Sequence, residues 1–178
     1  MLAKRRLGAQ HAGDDGGFGL VELLIAMTVL LVGVLAVFLM FESGIITIKR
    51  ASIRTTASAL ADAQLESFRA IKYDSIGLVD AQVTSAAAPY TTDPAYQASA
   101  ASRVALSACG TAPCTTKVPV QTLAGADGRS YRVDTFVTWQ TVTSGRDVKR
   151  VTIVVRDATT TSTTYARVAT FFDASTGV

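Results

Sequence analysis

Gly17-Phe18-Gly19-Leu20-Val21-Glu22 runs straight into Leu23-Leu24-Ile25-Ala26-Met27-Thr28-Val29-Leu30-Leu31-Val32-Gly33-Val34-Leu35-Ala36-Val37-Phe38-Leu39-Met40-Phe41, and the fold turns on how this stretch is read. Between Phe18 and Phe41 the one charged residue is Glu22. At about 1.5 Å per residue, a helix over this run is long enough to cross the ~30 Å of hydrocarbon in a bilayer. The stretch therefore predicts a membrane span. A carboxylate placed in lipid costs about 3 kcal/mol even on insertion scales, so Glu22 needs a cationic partner or a route to the headgroups.

Gly17-Phe18, with Glu22 as the fifth residue counted from Phe18 and an apolar helix behind it, resembles the cleavage and methylation motif of type IV pilins and of the pseudopilins of type II secretion. The resemblance is specific over residues 16–41 and general beyond them. It implies that a prepilin peptidase cuts between Gly17 and Phe18 and methylates the new amine of Phe18. It also implies that Glu22 meets that amine on a neighbouring subunit in a filament. Simple chemistry agrees, because an α-amino group with a pKa of about 7.7–8.0 is largely protonated at neutral pH. Pairing it with Glu22 in low dielectric strengthens the attraction and removes two uncompensated charges. Phe18 and Glu22 lie one turn apart, so pairing within one helix is open as well. Without the motif, Glu22 reads as a residue snorkelling at the end of an ordinary anchor.

Residues 1–17 read as a leader. Lys4, Arg5 and Arg6 precede the apolar run, which by the positive-inside rule keeps the amino terminus in the cytoplasm and places the carboxy-terminal domain outside the cytoplasmic membrane. A secretory signal would be cut after its apolar region, but Phe41-Glu42-Ser43-Gly44-Ile45 is no clear small-x-small site, so the span is expected to be retained. Asp14 and Asp15 beside the glycine pair, and the leader's length, depart from many major pilins.

The chain has 178 residues, 49% of them hydrophobic, which suits one span and one modest domain. Removing the leader leaves 14 Lys and Arg against 12 Asp and Glu, a charge too small and dispersed to argue for nucleic acid. Lys49-Arg50 reads as membrane-proximal charge and Lys149-Arg150 as a solvated strand end.

No proline occurs before Pro89, so a helix begun near Phe18 can continue far past the membrane. Ile46, Ile53, Ala57, Leu60, Leu65 and Phe68 recur at roughly helical spacing among charged residues, which predicts an amphipathic soluble half ending near residues 71–74. Gly33 and Ala36 are either a close helix–helix contact or tolerated small residues facing lipid. Gly44 is a candidate bend. The absence of a proline within the apolar half departs from many major pilins and favours a minor pilin or pseudopilin.

Residues 79–116 are rich in Ala, Ser and Thr with Pro89, Pro94 and Pro113, and read as a long surface connection. Tyr90 and Tyr96 either touch a partner or pin this loop to its own domain. Cys109 and Cys114 enclose four residues, and outside the cytoplasm they are expected to form a structural disulfide; the spacing is not that of a redox-active Cys-x-x-Cys pair.

Arg132–Trp139, Lys149–Arg156 and Tyr165–Phe172 are rich in β-branched and aromatic residues and predict three strands, with Val118–Leu123 as a fourth at an edge. Thr143-Ser144-Gly145-Arg146 supplies a turn. Val151, Ile153 and Val155 alternate with Thr152, Val154 and Arg156, the pattern of a strand with one face on a core. An antiparallel meander laid across the soluble half of the helix gives the expected fold: α+β and pilin-like. The expected organisation is residues 1–17 leader, 18–41 transmembrane half-helix, 42–74 soluble half-helix, 75–117 connection and 118–178 sheet domain.

A search for chemistry finds no catalytic constellation. The sole histidine, His11, lies in the leader; no phosphate-binding glycine loop or Gly-x-Ser-x-Gly turn occurs, and Glu42 and Glu66 are the only glutamates besides Glu22. No cofactor, metal or calcium ligand set can be assembled, and with no Asn in the chain N-linked glycosylation has no acceptor. The leading expectation is a non-enzymatic filament subunit whose partners are prepilin peptidase, other pilin or pseudopilin subunits, membrane proteins of the assembly machine and the lipid bilayer, not nucleic acid. The competing expectation is a monomeric, single-span binding module with an external β domain.

Overall fold

The computed structural model describes residues 19–143 and 145–174. The expected leader (residues 1–17), Phe18, Ser144 of the expected turn, and residues 175–178 lie outside the described residues. The chain divides between Ile46 and Thr47 into two units.

Helix α1 spans Leu20–Arg69, 50 residues without interruption. Its amino-terminal part, residues 20–41, is exposed all round and apolar except at Glu22 and Thr28. The Thr28 hydroxyl within it is satisfied internally, donating to the carbonyl of Ile25 at 2.8 Å. Within the second unit the helix buries Ala57, Ala61, Leu65 and Phe68, a 4-4-3 spacing that keeps all four on one face. Ile46, expected in the stripe, is exposed, and Ala61 stands in it. α1 stops short of the expected 71–74 because Lys72 adopts an extended conformation, φ −60° and ψ 145°, ahead of a 3-10 turn at Tyr73–Ser75.

The sheet is an antiparallel meander in the order β3 (Val120–Ala124), β4 (Ser130–Gln140), β5 (Val148–Asp157) and β6 (Thr164–Phe172). The fold is thus α+β and pilin-like: a long apolar amino-terminal helix followed by a four-stranded antiparallel sheet. Register pairs Val133 with Val155, Thr135 with Ile153 and Val137 with Val151, which sets one apolar face that shares a core with Ala57, Ala61, Leu65 and Phe68. The hairpin between β3 and β4 turns at Gly128, whose φ of 75° favours glycine. A Cβ on nearby Gly125 would lie 2.6 Å from the Tyr131 ring and 2.7 Å from Thr56 of the helix, so only glycine lets the three meet.

The segment between helix and sheet is more than a surface connection. It forms α2 (Asp80–Ser85), a 3-10 turn at Ala100–Ser102, and a two-stranded parallel pair, β1 (Ser107–Ala108) and β2 (Cys114–Thr115). Leu78, Val83, Tyr90 and Val104 from this segment are buried. Tyr90 stacks on Phe136 at 4.3 Å between ring centroids, donates its hydroxyl to the Thr135 carbonyl at 2.8 Å, and meets Tyr96 edge-on. The segment therefore covers the second face of the sheet. For that reason β5 is buried on both faces from Val151 to Arg156, where alternation alone predicts one.

Candidate functional site

Glu22 sits in the first turn of α1, where its backbone N–H bonds to the Gly19 carbonyl at 2.9 Å and the helix dipole favours an acid. Its carboxylate is exposed and has no ion-pair partner among the described residues. The first cation after it in the chain is Lys49, 27 residues on. Behind Glu22 the mean hydropathy reaches 3.0 over the most apolar eighteen residues, none of them buried. Around Gly33 the side chains of Leu30, Val34, Val37, Phe38 and Phe41 line a shallow apolar groove, and beyond the helix's own backbone and the adjoining residues no atom lies within 4 Å of where a Cβ on Gly33 or Gly44 would sit.

An apolar surface of this extent does not persist in water; lipid or other apolar helices must cover it. The helix fits a membrane anchor by length and composition. Gly17 and Phe18, the expected cleavage and methylation residues, lie outside the described residues.

In the second unit, sequence reasoning missed an ionic network buried between the sheet and its covering segment. Arg156 donates through Nε to Asp134 Oδ2 at 3.0 Å, through Nη1 to Thr164 at 2.9 Å, and through Nη2 to Asp93. Arg132 Nε donates to Asp134 Oδ1 at 2.8 Å, and Arg167 Nη2 to Asp93 Oδ2 at 2.7 Å. Burial pushes the Asp93 carboxyl upward, but the Arg167 hydrogen bond, the Ala95 N–H and the Arg167 and Arg156 charges outweigh it and hold the group below its ordinary value. A signal existed in the register: Arg132 and Arg156 face each other across β4 and β5, and two opposed guanidinium groups need acids beside them.

Further clamps surround this network. Arg103, also buried, ties α2 to the connection by bonding Asp80 and the carbonyls of Gln97 and Ala98. At the turn between β5 and β6 the backbone N–H of Thr160, the Tyr165 hydroxyl, the Thr159 N–H and Arg129 together lower the Asp157 carboxyl to about 2. Lys149 donates its ammonium to the carbonyls of Tyr73 and Ile76 at 2.7 and 2.9 Å, fixing the chain just past α1 to the sheet, and burial lowers its pKa. These contacts tie the elements of the second unit together; none of them joins a nucleophile to a base.

Cys109 is exposed and Cys114 half-buried, with their sulfurs 3.0 Å apart as free thiols and Gly110 between them at φ 126°. The Cys114 hydrogen bond raises the pKa of Cys109. Among the described residues no group of three or more His, Cys, Asp or Glu is placed to hold a metal ion.

Residues 14–38 match the family described as the prokaryotic N-terminal methylation motif. Comparison with curated proteins and with solved structures gives no match.

Proposed function

From a chain that carries the type IV pilin and pseudopilin signature on a pilin-like α+β fold, we propose a prepilin-type structural subunit, a minor pilin or pseudopilin, that assembles through its amino-terminal helix into a type IV pilus-like filament. The signature implies processing by prepilin peptidase and assembly with other pilins. In this reading the peptidase cleaves after Gly17 and N-methylates Phe18, and the span stores the subunit in the cytoplasmic membrane with its sheet domain outside.

The observation that carries the proposal is the carboxylate of Glu22 at the head of an apolar run of helix, residues 23–41, that is exposed on every side. Hydrolysis of the Gly17–Phe18 bond creates a cationic amine beside that head. Apolar helices gain little by meeting in lipid, because the tails are as apolar as leucine. A charge pair changes that balance: the amine of one subunit and Glu22 of the next neutralise each other in low dielectric, and a staggered packing places them together. Extraction from the bilayer then exchanges lipid for neighbouring helices without leaving a charge exposed to hydrocarbon.

Glu22→Ala separates processing from assembly. Cleavage after Gly17 should continue while incorporation into filaments falls sharply, whereas Gly17→Ala should block cleavage itself. Normal incorporation of the Glu22→Ala chain would overturn the pairing role.

A further inference from the structure

Between Glu42 and Asp62, α1 carries three cations, Lys49, Arg50 and Arg54, and no acid. All three side chains are exposed, and none has an ion-pair or hydrogen-bond partner among the described residues. By contrast Arg103, Arg132, Arg156 and Arg167 are each held by a carboxylate. At 100° per residue the three spread over an arc of about 140° of the helix.

Their phase on the helix matters. Arg50 and Arg54 stand seven residues before Ala57 and Ala61, so they continue the same face that the sheet buries two turns later. Ile53, between them, is half-buried, while Lys49 follows directly on Ile48, which is exposed. The face changes from apolar and lipid-compatible to cationic to buried within a few turns. An arc this broad, without a complementary acid on its own helix, fits a plane of negative charge better than a single opposing side chain.

We propose that Lys49, Arg50 and Arg54 form a headgroup collar that binds the phosphates of anionic phospholipids in the leaflet where the span leaves the membrane. The inference rests on the reading of residues 18–41 as a span. The collar fixes the depth of the stored subunit, and because each contact is electrostatic it weakens with salt. It also gives the assembly machine something to break: extraction must release the lipid phosphates before the apolar helix can move.

The full chain reconstituted in nanodiscs of phosphatidylcholine and phosphatidylglycerol provides the test, read as the preference for phosphatidylglycerol over phosphatidylcholine among lipids retained by the protein in native mass spectrometry. Insertion is scored separately, by resistance to alkaline carbonate extraction from vesicles of the same lipids. The expected result is an inserted chain that retains phosphatidylglycerol preferentially, with about a fivefold loss of preference for each of Lys49→Gln, Arg50→Gln and Arg54→Gln. Glutamine is a good helix former, so α1 should keep its circular dichroism. An inserted wild-type chain without lipid preference, or a triple variant that keeps it, would overturn the collar and leave the span intact. A chain that carbonate extracts would overturn the span itself. A triple variant with unchanged lipid preference but lost filament incorporation would assign the three cations to acids of another subunit and overturn the lipid proposal.

Discussion

Replacing Arg156 by methionine keeps much of the side chain's length and volume but takes the central cation out of the buried network. Its guanidinium is 8% exposed and bridges Asp134, fully buried, and Asp93, 1% exposed. After the substitution Asp134 keeps Arg132 on Oδ1, while Oδ2 has lost its donor. Asp93 keeps Arg167 and the Ala95 N–H. Removing one partner of a buried ion pair costs about 3–5 kcal/mol, a large share of the ~5–15 kcal/mol that stabilises an ordinary domain. Arg167 is 41% exposed, so Arg167→Met should cost only about 1 kcal/mol or less although it touches the same aspartate. Equilibrium urea unfolding of the full chain in detergent, followed by the fluorescence of Trp139, measures both. For an m-value of about 2 kcal/mol/M the Arg156→Met midpoint should fall by roughly 2 M, with the slope unchanged. Asp93→Asn in the Arg156→Met background should recover part of the loss, because the two residues are coupled. A loss below about 1 kcal/mol for Arg156→Met, or an equal loss for Arg167→Met, would refute the view that this network clamps the connecting segment to the sheet.

Three further outcomes are expected. Acid should destabilise the domain through Asp157: its carboxyl titrates at about 2 when folded against an ordinary 3.8, so its contribution is present above about pH 4 and is lost as pH falls through that window toward 2. Asp157→Asn should flatten this part of the stability–pH curve, and an unchanged curve would contradict the assignment. Exposed to a thiol–disulfide oxidant, the Cys109 and Cys114 thiols should pass two electrons and two protons to it and close a bond. The purified chain should then resist alkylation until reduced, and Cys109→Ser with Cys114→Ser should cost about 2 kcal/mol for so short a loop. Neutralising Lys49, Arg50 and Arg54 should remove the preference for anionic lipid, as set out above.

The long helix and the meander were legible because each rests on periodicity. Residues 23–41 are apolar but for Thr28, the stripe read from the sequence shares Ala57, Leu65 and Phe68 with the buried one, and β4 and β5 are dense in β-branched residues. What escaped was the second layer over the sheet. Tyr90, Asp93, Arg103 and Val104 are isolated among Ala, Ser and Thr, and no local period joins them to Phe136 or Arg156 tens of residues away. Asp134 and Arg156 on strands read as solvated residues until register shows the face they share. Val154 reads as outward-facing for the same reason. At the head of the chain the position of Glu22 was readable from Gly17-Phe18 alone, and the structure adds that the carboxylate has no partner among the described residues.

The central claim is that processing supplies the cation that Glu22 requires. Mass spectrometry of the amino-terminal peptide of this chain, taken from assembled filaments, tests it most directly. The account predicts a chain beginning at Phe18 with a methylated amine; filaments built from chains that still begin at Met1, with Lys4, Arg5 and Arg6 in place, would contradict it.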